Sequence, residues 1–406
     1  MSEGLVLVGA RVVDSRGVVT EHADVRAEGG TITAVGAVEP HPNDRIVDVT
    51  GRTVCPGLMN AHVHVCLDAG TDPERAFHAE TDVETALRSL PRLAQTLARG
   101  VTTVRDLGGK HEVTLALARL AAEGIISAPR ILAAGRVVTM SGGHGHWMGI
   151  EIDGPDEARR ATRRMLAAGA AVIKVMATAG MMTSGQRAGA AQLTTEEMAA
   201  CVEEAHKAGI PVAAHVEGRD GASNALQAGV DSIEHGHGLD DELLQVMAAR
   251  GTTLVPTIAC DRAIVGRGTE AGIPQFIVDD CARLAPSLEV ALRRAIEIGV
   301  PIAAGNDGGA PLTHPGDIVD ELEIYVELGM SPLAALASAT INTARLLGLA
   351  KTGLVTAGHD ADLIVVDGDP VTSVAALRRP ELVVTHGRVV VTGRPDAPRP
   401  LLEDGS

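Results

Sequence analysis

The sequence predicts an α/β fold: a (β/α)8 TIM barrel with a small β-sandwich domain built from both chain termini. Three observations carry this expectation. Across residues 56–352, short apolar runs alternate with Ala/Leu/Glu/Arg-rich helical stretches, the pattern of βα units on a parallel sheet. Eight such strand candidates occur, the number that closes a barrel. Both ends of the chain read instead as short β-rich runs broken by Gly, Asn and Pro. The expected division is therefore a composite sandwich from residues 1–55 and 353–406, and a barrel from residues 56–352.

The N-terminal strands are LVLVGARVVD, ADVRAEG, TITAVGAV and RIVDVTG, and the C-terminal ones fall in ADLIVVDGDP and ELVVTHGRVVVTGRPD. The barrel strands, in order, are VCPGLMNAHVH, VTTVRDLGG, RILAAGRVV, AVIKVMATAG, PVAAHVE, DSIEHG, TTLVPTIA and PIAAGNDGG. Helix punctuation supports the alternation. Thr194 and Glu197 have capping-box spacing ahead of MAACVEEAHKAG, and Gly209 stands at its stop. Ser331 and Pro332 form a cap and first-turn pair. Asp156 opens the helix that ends on Gly169.

Composition removes several classes of function. At roughly 150 residues per domain, the 406-residue chain allows two or three domains, or one large barrel with an appendage. A net charge of −17, from 35 Lys and Arg against 52 Asp and Glu, argues against a nucleic-acid binder, which needs a basic face. Phe77, Trp147, Phe276 and Tyr325 are the whole aromatic set, so no stacked-ring platform exists. The five cysteines form no CxxC pair and suit reduced, buried thiols. No apolar run approaches the roughly 20 residues of a membrane span, and MSEGLVLVGARVVD lacks a secretion signal. A cytoplasmic protein is expected, with a small-molecule substrate, no nucleic acid and no membrane. Assembly into a homo-oligomer is left open.

The chemistry gathers at strand ends. His62 and His64 share one face of the first strand, since residues two apart point the same way. Lys174, His215, His235 and Asp307 fall at equivalent places on four other strands. C-terminal strand ends are where such barrels keep their active sites. The six residues therefore converge on one mouth. Arg105 and Asp106, at the end of the second strand, are read as a buried ion pair bracing the barrel. His237 is read as supporting or loop, and Cys66 as core.

This set resembles the amidohydrolase superfamily with a two-metal centre. The segments VCPGLMNAHVHV, GVTTVRDLGG, SGGHGH, VIKVMATAG, IEHGHGLDDELLQVMAARGTTLVPT and GHDADLIVVDGDP run in family order through nearly the whole chain. They are similar to the subgroup of metal-dependent prolidases, Xaa-Arg dipeptidase-like proteins and imidazolonepropionase-related amidohydrolases. The resemblance implies that His62, His64 and Asp307 hold one divalent ion and His215 and His235 the other. It implies that Lys174, carboxylated by CO2 to a carbamate, bridges the two. The N/O donor set suits zinc, with manganese, iron and cobalt as alternatives.

The implied reaction is hydrolysis of a C–N amide bond in a dipeptide-like, N-acyl amino acid or cyclic amide substrate. A metal-bridging hydroxide attacks, and Asp307 acts as general acid and base. The alternatives are a deaminase of a small heterocycle, against which Lys174 counts, a lactone or carbamate hydrolase, and a non-catalytic scaffold. His144 in SGGHGHW is expected to contact substrate, and Trp147 to floor or underpack the pocket. The subgroup has Tyr where this chain has Glu217. An acid there is expected to face the substrate and repel a carboxylate, with Arg187 the nearest cation to compensate.

Overall fold

The computed structural model describes residues 4–183 and 185–392. Its centre is a run of parallel strands in chain order. Leu58–Val63, Val101–Asp106 and Arg130–Ala133 pair in parallel. Val137–Met140, Ile173–Met176, Val212–Val216, Ser232–His235 and Thr253–Val255 pair likewise, each beside the next. The Ala171 N–H donates to the Ala133 carbonyl at 2.9 Å and links the two groups. The eighth expected strand is not continuous. Ile302 bridges Leu254 and Gly308 bridges Val63, while the Ala61 N–H reaches the Ala304 carbonyl at 2.8 Å. The last segment thus returns to the first, and the strands form a ring. The third expected strand is broken after Ala133, where Gly135 takes a φ of 71°; that left-handed turn is open to glycine.

Helices return the chain between these strands, among them Pro155–Ala167, Thr195–Lys207, Arg219–Ala228 and Asp241–Arg250. The Thr194–Glu197 capping box and the Ser331 cap with Pro332 are formed. Asp156 departs from expectation. The helix begins at Pro155 behind Gly154, so Asp156 lies in the first turn and favours the helix dipole without capping it.

The termini build one hydrogen-bonded, eight-stranded sheet. Its order is Arg388–Thr392, Leu382–Thr385, Leu363–Val366, Thr53–Pro56, Leu5–Val13, Val19–Glu28 and Thr31–Gly36, with Arg45–Asp48 paired to the side of Leu5–Val13. The stretch of the expected sheet beyond Thr392 lies outside the described residues. Strand alternation gives this sheet two buried faces. Leu363 and Val365 enter a core belonging to the sheet, whereas Ile364 and Val366 enter the core shared with the parallel ring. Leu382 and Val384 against Val383, and Val54 against Cys55, repeat that division. All five cysteines are free and buried. Among the described residues, no helix is long and apolar enough to cross a membrane.

Candidate metal centre

The C-terminal ends of the parallel strands open into one pocket. His62, His64, Lys174, His215, His235 and Asp307 all line it, together with His144, Trp147 and Glu217. The first strand delivers His62 and His64, with ring centroids 5.5 Å apart. His235 lies 4.9 Å from the His62 ring and 4.6 Å from that of His215. Asp307 Oδ1 stands 3.3 Å from Nε2 of both His62 and His64. His235 and Asp307 adopt φ values of 64° and 55°. Such left-handed backbone costs about 1–3 kcal/mol per residue and collects at functional sites. Here it turns two side chains out of strand register into the mouth.

Three of the four imidazoles are oriented from behind. His62 Nδ1 lies 2.9 Å from Glu234 Oε2, His64 Nδ1 2.8 Å from the Gly108 carbonyl, and His235 Nδ1 2.7 Å from Thr257 Oγ1. A carbonyl and a carboxylate can only accept, so His62 and His64 donate from Nδ1 and keep the Nε2 lone pair for the pocket. Burial, then the nearby Lys174, pushes the His62 imidazole down to about 4, and burial takes His215 and His235 well below the usual range. These three rings are therefore neutral near pH 7, the form that binds a metal, whereas at His64 burial is outweighed by Asp307, which raises that imidazole. Burial opposes ionisation of Asp307, yet His62 and His64 hold its carboxyl well below the usual carboxylate range. Burial pushes the Lys174 amine down to about 8.

The donor set fits a divalent metal centre. Lys174 Nζ, His215 Nε2 and Asp307 Oδ1 are buried without a hydrogen-bond partner. Orphaned buried polar atoms are rare and ask for an occupant. The groups His62, His235, Asp307 and His215, Glu217, His235 each bring ligand atoms within 4.8 Å of one another.

Around the centre, His144 is buried, with Nδ1 2.7 Å from Thr183 Oγ1 and its ring 4.3 Å from that of His215. Trp147 meets Phe77 edge-to-face at 4.9 Å. Arg187 is exposed and does not line the pocket. The segment folds back on itself through the Thr178–Ala191 bridge and an Ala190 N–H bond to the Arg187 carbonyl, which leaves the guanidinium at the surface. The expected Arg105–Asp106 pair is not formed, because strand neighbours face opposite sides. Arg105 instead bonds Glu234 Oε1 at 2.8 Å, Ser232 Oγ at 3.0 Å and the Ala61 carbonyl at 2.6 Å. Asp106 accepts the Val65 N–H at 2.8 Å. His237 pairs with Asp261 at 2.7 Å. Sequence reasoning passed over Glu234, although a buried Arg105 needs an acid and Glu234 alternates with Ser232 on its strand.

The amidohydrolase family's sequence profile matches residues 53–390. The chain belongs to the amidohydrolase family. Ochratoxinase of Aspergillus niger is 30% identical over 364 residues, covering 82% of this chain and 73% of that protein. A crystal structure of a prolidase complexed with N-methylphosphonate-L-proline superposes with a TM-score of 0.89 at 30% identity, covering 96% of this chain and 100% of the other. An Xaa-Pro dipeptidase with bound methionine gives a TM-score of 0.87 at 29% identity, over 95% and 99% of the two chains. This amidohydrolase is thus an enzyme with hydrolase relatives that act on amide C–N bonds.

Proposed function

We propose that this amidohydrolase is a two-metal hydrolase cleaving the amide bond of a dipeptide-like, N-acyl amino acid or cyclic amide substrate. The carrying observation is the buried, partnerless Lys174 Nζ among four histidines and Asp307. His62, His64 and Asp307 would hold one ion and His215 and His235 the other, with Lys174 shared between them as its carbamate. Two such ions, zinc by donor chemistry, supply Lewis acidity toward the substrate carbonyl and acidify a water. A lysine amine brought down to about 8 is neutral often enough near pH 7 to take up CO2, losing a proton as the N–C bond forms.

Asp307 accepts the proton of the attacking water and returns it to the leaving amine. His144, held by Thr183, binds the substrate carbonyl or carboxylate, and the Trp147 ring walls the pocket. The neighbouring folds support a (β/α)8 barrel for the parallel ring across residues 56–352. The sheet's separate core supports a sandwich for residues 1–55 and 353–406.

The test joins metal analysis to a substrate panel. Near two ions per chain, with amine release from N-acyl amino acids, dipeptides or cyclic amides, is expected. Near one ion with ammonia release marks a deaminase, and near zero a scaffold. Lys174→Ala should lose most metal and turnover, with partial rescue by a short carboxylic acid. A variant that keeps both ions and normal turnover removes Lys174 from the centre.

A further inference from the structure

Glu217 follows His215 by two residues at the end of the strand Val212–Val216, so both side chains leave from one face. Its carboxylate does not stand free at the mouth. Oε2 accepts the Met181 N–H at 2.9 Å, while Oε1 lies 3.5 Å from His215 Nε2. That nitrogen has no hydrogen-bond partner. Ligand atoms of His215, Glu217 and His235 all lie within 4.8 Å of one another, and all three residues are buried. Two ligand atoms placed side by side with no hydrogen bond joining them are arranged for a shared cation.

The backbone fixes this placement. The Glu217 N–H donates to Thr178 Oγ1 at 2.9 Å. Gly189 approaches the Glu217 carbonyl so closely that a Cβ would stand 2.6 Å from it, which closes the segment over the residue. The backbone is thus fixed, and the Met181 N–H holds the carboxylate on the His215 side.

Charge argues the same way. Among the described residues, no Lys or Arg ion pair reaches Glu217. A buried carboxylate without a counter-charge is costly. A divalent ion bound jointly with the two imidazoles removes that cost.

Building on the two-ion reading above, we propose that the Glu217 carboxylate is a ligand of the second ion, alongside His215 and His235. Each ion then has two histidines and one carboxylate, with Lys174 shared. The second site gains an anionic oxygen donor, and a two-histidine, one-carboxylate set leaves positions open for water and substrate. Glu217 is then part of the centre and not a reader of substrate charge, which reverses the expectation from sequence.

The test is metal content per chain, with competition against a chromophoric chelator to give each ion's affinity. It uses the full chain and its Glu217→Gln and Glu217→Ala variants, with His235→Asn as the reference for loss of the second ion. Wild type should hold two ions. Both Glu217 variants should keep one at wild-type affinity and bind the other more than about 100-fold more weakly, beyond the range of a residue that merely supports a ligand. X-ray absorption of the zinc protein should lose one oxygen donor. A smaller loss of affinity, or two ions bound as in wild type, overturns the assignment. Fewer than two ions in wild type overturns the two-ion reading itself, and this inference with it. Circular dichroism checks folding. If Glu217→Ala does not fold, the isosteric Glu217→Gln decides.

Discussion

Asp307 and Gly180 show how single positions shape this site. Asp307 faces Nε2 of both His62 and His64 and has an oxygen without a hydrogen bond. Its proposed proton transfer operates in the transition state, so Asp307→Asn should lower kcat by about 10²–10⁴-fold and leave KM nearly unchanged, compared at equal metal occupancy. A change confined to KM would reassign it to substrate binding. Gly180 matters for space: a Cβ there would stand 2.3 Å from the His144 ring. Gly180→Ala should push His144 off its Thr183 partner and cost about 10²-fold in kcat/KM, the scale of a 1 Å misplacement, with metal content unchanged. Unaltered kinetics would mean that His144 does not contact substrate.

At the scale of elements, strands carry ligands on the mouth side and their supports one residue away. Ser232 and Glu234 point to the ring interior, where Glu234 joins Arg105 to His62, while His235 turns into the mouth at the strand end. Glu234→Gln leaves Arg105 without its counter-charge. It should cost about 3–5 kcal/mol of stability, read by denaturant unfolding of the metal-free protein. The same change should weaken the ion at His62 by about 10–100-fold, read by chelator competition. A second support runs through a helix start. Glu321 on the helix Ile318–Glu327 accepts the N–H groups of Ile258 and Ala259 at 2.8 and 2.6 Å. These pin the turn at Thr257, whose φ is 59° and whose hydroxyl meets His235.

Across the whole molecule, the terminal sheet is buried on both faces. Ile364 is fully buried and faces the ring, whereas Val365, next in sequence, faces the sheet's own core. Ile364→Ala should therefore cost about 2–5 kcal/mol, read as a lower denaturant midpoint for the entire chain. If the terminal sheet melted alone while the ring stayed folded, the two would be independent units. The strand Leu363–Val366 makes that outcome unexpected, since it pairs with Thr53–Pro56 immediately before the first ring strand.

The sequence by itself determined the alternation of strands and helices, the composite sheet from both ends and the six strand-end residues that gather at the mouth. Each rests on local signals, namely apolar periodicity, capping pairs such as Thr194 with Glu197, and the position of His62, Lys174 or Asp307 after an apolar run. Only the tertiary structure decided the partners. Arg105 chose Glu234 over adjacent Asp106, Arg187 stayed at the surface, and Glu217 settled against His215. Partner choice depends on which atoms are neighbours across strands and on which side of a pleat each residue falls. Left-handed turns at His235, Thr257 and Asp307 alter that side locally, and tertiary contacts hold such backbone in place where local sequence preference does not.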